Sequence, residues 1–123
     1  YSADSSTVIV TEAVPPPEDS TQGQSWFYRG IAGLRDLLTK RWYSKVRSYY
    51  VGEWHYHPAK IINPSADDFT QMYSINIDQR YNCREPVMLI VGQLQHDKER
   101  PLRVFVFPQN QQYIELENCS FED

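Results

Sequence analysis

The order of apolar and polar positions divides the chain into short strands and two helical stretches. The run 7–11, Thr-Val-Ile-Val-Thr, is β-branched and predicts a strand. Residues 14–24 hold Pro15, Pro16 and Pro17 in succession among Ser, Asp and Gly, and predict a loop. Phe27, Ile31, Leu34 and Leu38 then recur at helical spacing, with Trp42 extending the stripe and Ser25 placed as a cap, so a helix is predicted there. Gly30 and Gly33 lower its propensity and suggest close packing on a sheet. The aromatic and β-branched stretch 49–56 predicts the next strand, which Pro58 ends. Ser65, after Pro64, is placed to start a second helix with Phe69, Met72, Ile75 and Ile77 on its apolar face. Residues 87–91 and 102–107 are continuous apolar runs, the pattern of strands covered on both faces, and 113–116 predicts a last strand. Strands and helices mixed in this order predict an α/β class.

Two features of this pattern converge on chemistry. In a strand, side chains alternate, so Val51, Glu53, His55 and His57 share one face and two imidazoles point the same way. The first turn of the helix begun by Ser65 would carry Asp68 back toward the end of that strand. Two His and one carboxylate are a facial set of zinc ligands, and they leave the fourth tetrahedral position open for water, the arrangement of a catalytic rather than a structural site. Each half has a plainer reading beside this one. His-x-His pairs are common on strands, and Ser65-x-x-Asp68 by itself reads as a capping box, with the carboxylate favoured by the helix dipole.

The full string, His55-x-His57-Pro58 followed after a short loop by Ser65-x-x-Asp68, resembles the signature of the JAMM metalloproteases, the JAB/MPN-domain family. The wording Gly-Glu-Trp-His-x-His-Pro at 52–58, with the strands at 86–92 and 102–107, is most similar to the bacterial JAB proteins of cyclic-oligonucleotide antiphage (CBASS) islands. The resemblance implies a mixed β-sheet packed between helices in a cytidine-deaminase-like sandwich. It implies Zn2+ held by His55, His57 and Asp68, and Ser65 stabilising the oxyanion. The activity implied is that of an isopeptidase or deubiquitinase-like hydrolase acting behind the C-terminal tail of a ubiquitin-like protein, the partner being that protein or its conjugate.

In the family a Glu from an earlier strand serves as acid and base, and the register of the resemblance puts it upstream of Tyr1. The expectation is therefore that residues 1–123 are a single JAB/MPN-like domain without the N-terminal helix and strand of the family core, a fragment or processed chain that is inactive alone. Glu53 shares the face of His55 and is a candidate for a hydrogen bond behind the metal, whereas Glu12 and Glu18, beside the prolines, read as solvated loop carboxylates. Two readings from other classes stand next to the protease. One is a JAB-fold scaffold that binds a partner without hydrolysis. The other is a zinc hydrolase of small amides or nucleobases, although deaminase sites use a Cys-x-x-Cys pair that this sequence lacks.

Composition narrows the class further. With 123 residues, 41% hydrophobic and 23% charged, the chain has the balance of an ordinary globular domain with one core. A net charge of -4 argues against a general nucleic-acid binder, and the local cluster Lys40, Arg41, Lys45 and Arg47 reads as a helix C-terminal patch favoured by the dipole. No apolar run is long enough for a membrane span, so a cytoplasmic location is expected. Cys83 and Cys119 stand alone and read as free thiols with no part in catalysis.

Overall fold

The two continuous apolar runs form the middle of a mixed four-stranded sheet in the computed structural model of the chain, which describes residues 7–22, 27–28, 32–59, 62–96, 100–117 and 119. The chain divides into two units, Tyr1–Tyr50 and Val51–Asp123, each with its own internal contacts.

In the first unit, two short strands, β1 (Thr21–Gln22) and β2 (Phe27–Tyr28), pair antiparallel, with Thr21 opposite Tyr28. They precede helix α1 (Leu34–Trp42). The helix therefore begins later than the apolar stripe predicts. Gly33 is its N-cap with φ 74°, a left-handed conformation that helical backbone cannot continue through, and Phe27 belongs to a strand instead. Ser25, Gly30 and Ile31 lie outside the described residues. The run 7–11 is not a strand either. Its Ile9 and Val10 are exposed, and no strand among the described residues pairs with it, so its β-branched composition meets no ladder. Glu12 is not a free loop carboxylate: the fork of Arg41 donates to both its oxygens at 2.7 Å, holding its carboxyl below the usual range.

The second unit is the α/β part. Its strands β3 (Gly52–Tyr56), β4 (Val87–Val91), β5 (Leu102–Val106) and β6 (Ile114–Leu116) lie in that order across the sheet. The β3–β4 pair is parallel and the other two pairs are antiparallel. Parallel neighbours need a crossover, and helix α2 (Ala66–Ile77) lies within the connection from β3 to β4. The sheet is anchored centrally: Val87, Met88, Ile90, Phe105 and Phe107 are buried with Met72 and Ile75 of α2. The apolar face of α2 ends earlier than predicted, because Ile77 is exposed and Asn76 takes the inward position. Asn76 is satisfied there by donating from Nδ2 to the carbonyl of Phe107 at 3.3 Å.

Gly52 is fixed by its neighbour rather than by its dihedral angles. A Cβ at this position would sit 1.7 Å from the carbonyl oxygen of Val87, its partner in the parallel ladder, so only glycine allows β3 this approach. The pairing sets the register of everything on β3. Among the described residues, no helix is long and apolar enough to cross a membrane.

Candidate metal centre

The alternation expected of β3 is present: Glu53 and His55 are buried, while Trp54 and Tyr56 are exposed. His57 lies one residue beyond the strand, yet its N–H still donates to the carbonyl of Val91 at 2.9 Å and prolongs the extended path. The two imidazoles consequently lie on one side, with ring centroids 6.5 Å apart and planes 15° from parallel.

The opposite wall is the first turn of α2. Ser65 is its N-cap: the hydroxyl oxygen accepts from the N–H of Asp68 at 3.1 Å, and Asp68 Oδ2 accepts from the N–H of Ser65 at 2.8 Å. The plain capping-box reading of Ser65-x-x-Asp68 is thus correct. The same carboxylate also faces both imidazoles, with Oδ1 2.7 Å from His55 Nδ1 and Oδ2 3.4 Å from His57 Nε2. One ligand atom from each of His55, His57 and Asp68 falls within 4.8 Å of the others, close enough to hold a metal ion.

Electrostatics favour an ionised Asp68. Burial pushes its carboxyl up, but the hydrogen bonds from the His55 ring and the Ser65 backbone, the attraction of His55 and the Ser65 hydroxyl outweigh burial and hold it below the usual range. An ionised carboxylate makes His55 Nδ1 the donor of the 2.7 Å bond, which in a neutral ring leaves the lone pair on Nε2, the coordinating form of imidazole. The donor set itself suits zinc. With bonds of about 2.1 Å, tetrahedral ligands stand about 3.4 Å apart, and His57 Nε2 and Asp68 Oδ2 are 3.4 Å apart.

Glu53 lies on the same buried face. Its Oε1 accepts from Gln71 Nε2 at 3.4 Å, one helical turn beyond Asp68. Asp68 meets His55 and Gln71 meets Glu53, so α2 runs antiparallel along β3 with its start over the imidazoles. Gln71 escaped sequence reasoning, although its offset of three residues from Asp68 puts it on the same helix face. Cys83 is a free thiol whose S–H points to the carbonyl of Val51 at 3.8 Å, and burial pushes its pKa up to about 11, which suits a packing role and not a nucleophile.

No family model matches the chain, and no solved structure matches it significantly. Among curated proteins, 92 residues are 52% identical to a protein of Enterobacter hormaechei subsp. hoffmannii (strain UCI 50) named CD-NTase/cGAS isopeptidase. The chain is a homologue of this isopeptidase. The resemblance drawn from the motifs, to the bacterial JAB proteins of cyclic-oligonucleotide antiphage islands, is borne out by that relationship. The alignment takes in 75% of this chain and 50% of the relative, so the chain spans about half the length of the curated relative it matches.

Proposed function

We propose that residues 51–123 carry the metal-binding half of a JAMM-type zinc isopeptidase that removes a ubiquitin-like modifier from a CD-NTase-like protein. The observation that carries this reading is the convergence of His55, His57 and Asp68 in a homologue of an isopeptidase. Zinc held by these residues would supply a bound water whose pKa falls toward about 7 and would polarise the scissile carbonyl.

The residues of the chain divide the remaining work. His55 and His57 present imidazole nitrogens from one edge of the sheet, and Asp68 fixes the His55 ring while directing its second oxygen toward His57. Ser65 accepts from the Asp68 N–H with its oxygen, and on this reading its O–H would turn from the Asp68 carboxylate to donate to an oxyanion. The leaving lysine amine needs a proton, and the resemblance implies that a Glu from a strand earlier than β3 relays it. On this reading residues 51–123 bind metal and modifier, cleavage needs that Glu as well, and the chain is one JAB/MPN-like domain in a cytoplasmic protein.

Metal analysis of the purified chain and its His55→Ala and Asp68→Ala variants tests the reading. One equivalent of zinc in the parent and strong loss in both variants is expected, and full retention in both variants would refute the site. Cleavage of a C-terminally extended ubiquitin-like protein is expected from a chain that holds that Glu, and chelator should abolish it. Robust chelator-sensitive cleavage by residues 1–123 would move Glu53 into the role of base. Binding of the modifier without cleavage by either form would favour the scaffold.

A further inference from the structure

Arg103 is the single charged residue in the apolar strand β5, and all three of its nitrogens are committed. Nε and Nη2 donate to Glu115 Oε1 and Oε2 on β6 at 2.7 and 2.9 Å, a two-pronged pair that fixes the plane of the guanidinium. Nη1 then donates to the carbonyl of Ile62 at 2.7 Å and to Asn63 Oδ1 at 2.8 Å. Those acceptors lie in the loop between His57 and Ser65, two and three residues before the cap of α2. Across the ladder His55 pairs with Ile90 and Ile90 with Arg103, so the brace stands in the same cross-strand row as a candidate ligand. Ile62 is buried and lies close against Gly92, where an added Cβ would meet its Cγ2 at 3.0 Å, so the glycine leaves room for this approach of the loop.

We infer that Arg103, braced by Glu115, is a positioning residue for the metal centre: it fixes the loop at Ile62 and Asn63, and through it the height of Ser65 and the aim of the Asp68 carboxylate. This rests on the metal reading above. The chain of contacts is continuous, from Glu115 to Arg103 to the loop, and from Ser65 to Asp68 through the reciprocal cap. Arg103 and Glu115 are partly exposed, and pairs of that kind add little to global stability. Their effect is therefore expected in ligand geometry more than in folding. Lysine cannot substitute, because a single ammonium does not span the two carboxylate oxygens and the two loop acceptors at once.

The test is titration of the chain with cobalt(II), whose visible bands report the geometry of its ligands, for the parent, Arg103→Lys and Glu115→Ala. The parent is expected to give the intense bands of a four-coordinate ion. Arg103→Lys should bind about tenfold more weakly, the low end for groups that orient ligands, with shifted bands. Glu115→Ala should move in the same direction by less. Metal-free melting and circular dichroism of each variant report folding separately, and if Arg103→Lys does not fold, Glu115→Ala decides. Folded variants with unchanged cobalt affinity and unchanged bands would overturn the inference alone. A parent that binds no cobalt would overturn the metal reading and this inference with it.

Discussion

On the proposed reading Ser65 serves two purposes that substitution can separate. As the cap of α2 its hydroxyl satisfies the Asp68 N–H, and loss of such a cap to alanine costs about 1 kcal/mol, whereas glycine at the same place costs only a few tenths. As an oxyanion donor the hydroxyl is worth about a hundredfold or more in rate, which neither replacement retains. Ser65→Ala should therefore lower both melting temperature and cleavage by a chain that holds the general base, and Ser65→Gly should regain most of the stability without regaining the rate. Thermal melts paired with single-turnover cleavage measure the two quantities, and a Ser65→Gly variant cleaving at the parent rate would remove Ser65 from the chemistry. At this scale the sequence was informative wherever a residue acts through a local rule. His55 and His57 followed from strand alternation, and Asp68 from its offset after a cap. Gln71 and Arg103 did not, because each earns its place through partners 18 and 12 to 41 residues away that only the fold brings near.

Among the elements, β3 to β6 and α2 were legible because their patterns agree with their surroundings: β4 is apolar throughout, β5 is apolar but for Arg103, and both sit in the middle of the sheet. The first 50 residues were legible only in the proline-rich loop and in the later part of the helix, Leu34–Trp42. The apolar stripe at 27–42 is continuous on a helical wheel, but the left-handed Gly33 divides it, and the strand-like run at 7–11 lacks a pairing partner among the described residues. Glycine proved decisive in β3 as well. Gly52→Ala would drive a methyl group into the Val87 carbonyl, and relief requires β3 to move off β4. We expect a loss of about 1–3 kcal/mol or more, the usual cost of overpacking, together with weaker metal binding, because His55 and His57 travel with the strand. Denaturant melts and a zinc titration check both, and a variant with parent stability and parent affinity would contradict the ladder as described.

For the molecule as a whole, the α/β class was readable from element order, and the link to an isopeptidase from a short string of motif residues confined to one unit. The arrangement around Asp68 ties local and global behaviour together, since one carboxylate both closes the first turn of α2 and faces the two imidazoles. An ion bound there would stabilise the native chain by mass action, about 2.7 kcal/mol at a hundredfold excess over its dissociation constant. The melting temperature should rise with free zinc in the parent. Asp68→Asn, which keeps an oxygen to accept from Ser65 but loses the charge, should show little rise, and a parent whose melting ignored zinc would break the link. Were zinc the ion held there, its supply would govern persistence: a chain starved of it would open more often at the start of α2, offer the preceding loop to proteases, and be cleared sooner than its loaded counterpart.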